Sequence, residues 1–404
     1  MPGPLKDFRV LDLSRILAGP WASQMLADLG AEVIKIERPG SGDDTRGWGP
    51  PYMPDRAGEA TSETAYFHGT NRGKQSVCID MSQPDGQALI RDLVKDCDVL
   101  IENFKLGGLK KYKLDYLALK RVNPGLVYCS ITGFGQSGPY ADRAGYDFMI
   151  QAMGGMMSVT GEADGLPMKI GVALADVLTG LYAANAIQAA LIHQQKTGTG
   201  QYIDMALLDV QVATLANQAM NYLATGDSPG RLGNAHPNIV PYQAFQTADG
   251  YIILAIGNDA QFERFCDLAN CSELAADERF CSNSNRVKHR EILVPRVAQV
   301  MLQKPSMDWL DALNGRGIPC GPINNLEQVF ADPQVQHRGM RLELDHPVAG
   351  KVASVANPIK LSATPVEYQQ APPMLGEHTN SVLSSLLGLS DQDLDLLRSR
   401  GVIA

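Results

Sequence analysis

Residues 8–38 read FRVLDLSRILAGPWASQMLADLGAEVIKIER, and their order of apolar and punctuating residues decides the fold. Phe8 to Leu13 is a short apolar run suited to a strand. Pro20 sits where a helix begins, since its fixed φ and missing N–H cost nothing in a first turn. The helix should run to about Leu29, with Gly30 as its C-terminal stop. Val33-Ile34-Lys35-Ile36 then forms a second strand. Two strands bridged by a helix within about thirty residues must lie parallel, because a hairpin would need only a short turn.

The same alternation extends outward. Ser76–Ile79 is a strand candidate, Asp85–Lys95 a helix, and Val99–Ile101 a strand ending at Glu102-Asn103-Phe104. Leu126–Ile131 is another strand, and Gln201–Met205 a further one. Between them Val177, Leu181, Ala184, Ile187 and Leu191 recur at helical spacing behind Asp176. This alternation predicts an α/β protein with a Rossmann-like, doubly wound parallel sheet in a large domain spanning 1–220. Ligands of such sheets sit beyond the carboxyl ends of the strands. Residues 226–241 are rich in Gly, Pro, Asn and His and read as a loop. A strand at Tyr251–Ile256 and helices near Gln261–Leu268, Arg286–Leu302 and Met307–Leu313 define a smaller α+β domain over 225–335. Arg341–Ser362 returns to strand-like alternation within a closing segment, 340–404.

Bulk properties narrow the function. A chain of 404 residues exceeds one ordinary domain. The formal charge of −9 argues against general affinity for nucleic acid or anionic membrane, so an anionic ligand needs a local basic cluster. No apolar run reaches the ~20 residues of a membrane span. The opening Met-Pro-Gly-Pro-Leu-Lys shows no signal core, and a cytoplasmic protein is expected. Seven cysteines without a Cys-x-x-Cys pair fit free thiols, and the spacing of Cys266, Cys271 and Cys281 suits no usual zinc site. No metal is expected.

Gly133-Phe134-Gly135-Gln136-Ser137-Gly138 matches the dinucleotide fingerprint, but that motif must open a helix, and Pro139-Tyr140-Ala141-Asp142 opens none. Phosphate-loop, nucleophile-elbow and His-Glu-x-x-His motifs are missing from the sequence. What remains is basic residues at strand ends. Arg38 follows the second strand, where an arginine suits an extra phosphate on a ribose, and coenzyme A carries one on its 3′ oxygen. Lys74 and Lys111 are further candidates for phosphate.

With these residues in view, the sequence resembles family III CoA-transferases along nearly its whole length. Val10–Leu13 through Pro20, Asp28–Arg38, Gly42-Asp43 with Thr45-Arg46, and Glu102-Asn103-Phe104 carry the likeness. So do Gly145-Tyr146-Asp147, Gly198-x-Gly200-Gln201, Gly317–Pro322 and Leu375–Thr379. Gly171–Asp176 with Gly180 resembles the segment bearing the family's nucleophilic aspartate, which makes Asp176 the catalytic candidate. The resemblance implies CoA contacts from Ile16, Ala18, Arg38, Asn71, Lys74, Asn103, Phe104, Lys111, Tyr146 and Asp147. It also implies catalysis without a cofactor, acyl-CoA and a small carboxylic acid as the partners, and a ring-shaped chain forming an interlocked homodimer. The likeness is strongest to members that pair succinyl-CoA with a dicarboxylic acid such as glutarate. A dicarboxylate needs a cation for its far carboxylate. Arg15 is the first candidate, with Arg46 and Arg143 behind it, and His236 lies in the loop where some members carry a glycine-rich shield. Gly154-Gly155 is a candidate source of oxyanion amides.

Two other readings stay open. α-Methylacyl-CoA racemases resemble this chain in fold but use a Gly-His-Asp segment where Gly145-Tyr146-Asp147 stands, and tyrosine, with an ordinary pKa near 10, exchanges protons poorly at neutral pH. A non-catalytic binder of CoA esters would have no need of Asp176.

Overall fold

A computed structural model describes residues 3–368 and 370–404. The chain divides into two compact units. The first takes in the chain up to Met156, Ile170–Ala219 and Pro333–Ala404; the second takes in Met157–Lys169 and Met220–Asp332.

The first unit is built on a six-stranded sheet of β1 (Arg9–Asp12), β2 (Glu32–Glu37), β3 (Lys74–Cys78), β4 (Val99–Glu102), β5 (Val127–Thr132) and β6 (Tyr202–Ala206). Their order is β3-β2-β1-β4-β5-β6 and every pairing is parallel. The strands read as continuous Val, Ile and Leu runs because helices cover both faces. Leu11 pairs in register with Ile34 on one side and Leu100 on the other, and all three are fully buried. One face packs against α1 (Ala18–Asp28) and the long α2 (Leu174–Thr197), the other against the helices Pro84–Val94 and Tyr116–Val122. Close packing of α1 on α2 requires Gly180, where a Cβ would come within 2.8 Å of the Ala18 carbonyl oxygen.

By length and composition α2 is apolar enough to cross a membrane, which the sequence reading did not anticipate. Ala175, Ala183, Ala184, Ile187 and Leu191 bury one of its faces beside β5 and α1, as the core helix of a parallel sheet does. Gly198, at φ +72°, ends it in the left-handed conformation.

The closing segment is fastened to this unit by buried polar contacts. Arg72 grips both oxygens of Asp28, at 2.8 and 2.6 Å, and donates to the Val355 carbonyl at 2.8 Å. Asn357 donates to the same Asp28 at 3.0 Å. Further along, Gly376 N donates to Ser76 Oγ and Cys78 N to Thr379 Oγ1.

The second unit carries a three-stranded antiparallel sheet of β7 (Tyr242–Gln246), β8 (Tyr251–Ala255) and β9 (Cys320–Pro322), in the order β9-β8-β7. Phe262, Phe265, Leu293, Val297 and Trp309 from its helices fill its core. The division differs from the linear reading of 1–220, because residues 157–169 belong to this second unit. Gly233 N donates to Gly161 O, and the Arg231 guanidinium donates to the carbonyls of Glu162, Ala163 and Gly165.

Removing one partner of a buried ion pair leaves a bare charge. Arg72→Ala should cost about 3–5 kcal/mol in denaturant unfolding and expose the segment around Val355 to proteolysis. Unchanged stability and protease resistance would show that the pair does not hold that segment down.

Candidate active site

The strand order reverses between β1 and β4, and in open parallel sheets that switch point is where ligands bind. Here it opens into two cavities of about 460 and 410 Å³ that share Arg15, Phe104 and Tyr112 as walls. The first reaches Arg38 and Ser82; the second reaches Lys111, Tyr146 and Asp176. Together they form a path from a basic residue after β2 to a carboxylate at the start of α2.

A buried charge network shapes the path's floor. Lys35, in mid-β2, donates to the Ser14 carbonyl at 2.8 Å and pairs with Asp43 at 2.9 Å, both side chains fully buried. Asp43 also accepts from the Ile16 amide at 3.2 Å and from Thr45. Burial alone would raise Asp43, but Lys35 and Thr45 hold its carboxyl down to about 2. The Ile16 backbone is thereby fixed at φ +74°, a conformation that a β-branched residue keeps only under constraint. Beneath it Asp12 accepts from Ser14, Ser23 and Lys74. Burial pushes the Lys74 ammonium down to about 7 in spite of Asp12. Asn103 locks the facing turn, accepting from Arg15 N at 3.0 Å and donating to Arg15 O at 2.7 Å.

Asp176 lies in the first turn of α2. A short helix, α3 (Asp147–Met153), sets its surroundings: Asp147 Oδ1 accepts from Ala175 N at 2.8 Å and from Asp176 N at 3.4 Å. The loop before α3 doubles back so tightly that a Cβ on Gly133 would sit 2.5 Å from Gly145 Cα, so both positions need glycine. A helix N-terminus ordinarily favours an ionised carboxylate. Here burial first, and the Asp147 charge second, push the Asp176 carboxyl the other way, up to about 7. Among the described residues no hydrogen bond reaches that carboxylate. An ionised Asp176 is therefore poorly solvated, and a poorly solvated anion is reactive.

Several assigned roles change. Lys74 and Asn71 bond to each other at 2.9 Å with no exposed side-chain surface, so neither side chain reaches a phosphate. Arg46 is bidentate to Glu37 at 2.8 Å and lies 3.7 Å over the Phe67 ring, so it is not free for a substrate. Asp147 holds the amides that open α2 and Asn103 holds the backbone of Arg15, so each positions a turn, and Asn103 also lines the Asp176 cavity. The Gly154 amide is bonded to the Ile150 carbonyl and the Gly155 amide to Ala152, which removes them as oxyanion donors. His236 belongs to the second unit, where Arg290 holds its loop by the carbonyls of His236 and Pro237. Ile16, Ala18, Phe104, Lys111, Arg143 and Tyr146 do line the Asp176 cavity, and Arg38 lines the adjoining one. Lys35, Glu37 and Asp43 were missed, although Lys35 inside an apolar strand was a visible sign.

Among the described residues Glu63, His68 and His346 bring metal-type donor atoms within 4.8 Å of one another. His346 Nδ1 accepts from Ala349 N at 3.0 Å, which places the ring proton on Nε2. That nitrogen then lacks the lone pair a metal requires.

The raised Asp176 carboxyl has two consequences. For an anionic nucleophile, kcat/KM toward acyl-CoA should climb with pH along a limb centred near 7; a flat profile from pH 5 to 8 would contradict it. Because the folded value exceeds the ordinary 3.8, folding is penalised as pH rises from about 4 to 7. Asp176→Asn should therefore raise Tm at pH 8, with the gain shrinking as pH falls from about 7 to 4 and vanishing below the ordinary value of 3.8, where both states are protonated.

Comparison with known proteins shows the family. Residues 5–379 match the family model described as CoA-transferase family III. Succinate--glutarate CoA-transferase of Agrobacterium fabrum is 55% identical, over 95% of this chain and 96% of that protein. Human succinyl-CoA:glutarate CoA-transferase is 42% identical, over 99% of this chain and 90% of that protein. The crystal structure of a CAIB/BAIF family protein from Brucella suis, 52% identical, superposes with a TM-score of 0.84 and covers 96% of this chain and 100% of that one. The chain belongs to CoA-transferase family III.

Proposed function

We propose that this protein transfers CoA from succinyl-CoA to a dicarboxylic acid of glutarate type, with Asp176 as covalent nucleophile. The observation that carries the reading is a desolvated carboxylate at the end of a cleft whose other end bears Arg38. The names of the Agrobacterium and human relatives support the choice of acids. Tyr146, which lines the Asp176 cavity, stands where racemases of this fold carry a histidine, and this favours acyl exchange over proton transfer.

The steps follow from carboxylate chemistry. An Asp176 oxygen adds to the thioester carbonyl and expels CoA thiolate, leaving a mixed anhydride. The thiolate attacks the aspartyl carbonyl of that anhydride, forming an aspartyl-CoA thioester and releasing the first acid as its carboxylate. The incoming carboxylate adds to this thioester, again expelling thiolate and forming a second anhydride. Thiolate attack on the substrate carbonyl of that anhydride gives the new acyl-CoA and restores Asp176. Each step exchanges one activated carboxyl for another, so neither cofactor nor metal is required.

Arg15 is the leading cation for the far carboxylate. Its Nη1 pairs with Asp44 at 2.9 Å where both side chains are half-exposed, a weak bond to exchange, and its buried Nε has no partner. Arg143, stacked 3.9 Å over Tyr140, is the second. The working form is an interlocked homodimer of ring-shaped chains in the cytoplasm. Exposed Tyr146, Phe148 and Met149 near α3 and Leu181, Tyr182 and Ile192 on α2 offer the apolar surface a second copy would cover.

Donors crossed with acceptor acids and read by product mass should favour succinyl-CoA with five- and six-carbon dicarboxylates. Arg15→Ala should narrow the preference for dicarboxylic over monocarboxylic acids by about tenfold or more. Unchanged discrimination would remove Arg15 from that role, and product formation only with monocarboxylic acids would overturn the substrate class.

A further inference from the structure

Behind the loop after β4 lies a third cavity, of about 280 Å³, that the transfer chemistry does not use. It shares Phe104, Lys105, Leu106 and Gly108 with the Asp176 cavity but extends along the sheet toward β6. Its wall is a cluster of three tyrosines. Tyr116 lies 5.3 Å from Tyr202 and 5.8 Å from Tyr128, and Tyr128 stacks on Tyr202 at 5.6 Å. Gly107 and Gly108 face the opening without side chains, which leaves room for a flat group.

The polar groups in this cavity are unusual for a mere packing defect. Glu102, at the end of β4, is 6% exposed, and among the described residues no cation pairs with it. Its Oε2 accepts from Phe104 N at 2.8 Å, which uses one of its lone pairs. Burial lifts its carboxyl to about 7, outweighing Ser130 and the Phe104 amide, so the acid form is well populated at neutral pH. Ser130 and Gln136, joined at 3.0 Å, stand beside it. A carboxylic acid presents a carbonyl acceptor next to a hydroxyl donor. An amino group beside a ring nitrogen is the complementary edge, and a tyrosine wall suits the face of such a ring. At the rim, Lys110 and Lys105 are exposed cations.

We propose that this cavity binds the adenine ring of an adenine mononucleotide, with Tyr116 against the ring, Glu102 on its amino edge and Lys110 at the phosphate. A size near 300 Å³ suits one bicyclic ring and little more. Because the Phe104–Gly108 loop walls both cavities, drawing Lys105 toward a phosphate here takes a cation from the acyl-CoA path. Occupancy should therefore weaken acyl-CoA binding, and by reciprocity acyl-CoA should weaken the nucleotide; only this coupling rests on the proposed transferase reading.

The test uses AMP as probe on the full protein, with CoA at saturation to fill its own path. Saturation-transfer NMR should still show contacts to the adenine protons. Calorimetric titration should give binding that Tyr116→Ala weakens at least about tenfold and Tyr116→Phe retains. Lys110→Ala should weaken AMP but not adenosine, an arm that stands even if Tyr116→Ala fails to fold. AMP should raise the KM for acyl-CoA without changing kcat. Loss of AMP binding in Arg38→Ala with retention in Tyr116→Ala would place AMP in the CoA path and overturn the proposal, as would no binding at millimolar AMP in the absence of CoA. AMP binding with an unchanged KM would refute the coupling through the loop.

Discussion

Lys35 and Asp43, paired at 2.9 Å with no solvent around either, are the contact on which the binding end of the sheet depends. Burying two charges is costly unless every remaining donor and acceptor is used. Here Lys35 also holds the Ser14 carbonyl, and Asp43 holds the Ile16 and Thr45 amides. The pair thus converts a desolvation cost into geometry, fixing the turn after β1 and the turn after β2 to each other. Glu37 continues the network to Arg46 and Ser76, and Ser76 reaches Gly376. The floor of the cleft and the anchoring of the closing segment are therefore one connected structure.

The same economy explains the other side of the cleft. Asp147 spends its carboxylate on the amides that open α2, which aims the first turn and its Asp176 at the cavity. Those amides are then unavailable to solvate Asp176, and the Asp147 charge disfavours a second anion nearby. A carboxylate left in this condition is a liability to stability and an asset to nucleophilic attack. Its placement between the walls of Tyr146 and Leu207, on the path from Arg38, gives that liability a use.

Much of the fold was legible in the residues themselves. The runs at Val10–Leu13, Val33–Ile36 and Val99–Ile101, with helical spacing between, forced a parallel sheet because each strand is buried on both faces. The membership of residues 157–169 in the second unit was not legible, because it rests on backbone carbonyls meeting Arg231, and backbone contacts leave no mark on composition. The site was legible in position more than in role. Arg38 and Lys111 do face the cleft, while Lys74 and Arg46, equally basic and equally near strand ends, turn inward to Asp12 and Glu37. Spacing along a chain says which residues gather at one end of a sheet; which of them point inward is set by partners distant in sequence. Asp176 itself could not be told from a helix cap by periodicity, and only the ordered motifs around it marked it out.

The central claim is that Asp176 becomes covalently acylated. The most direct measurement is peptide mass spectrometry after incubating the protein with succinyl-CoA and hydroxylamine. The account predicts inactivation together with a hydroxamate at Asp176, produced only when the acyl-CoA is present. Retained activity with an unmodified Asp176, or a hydroxamate formed at a different carboxylate, would contradict it.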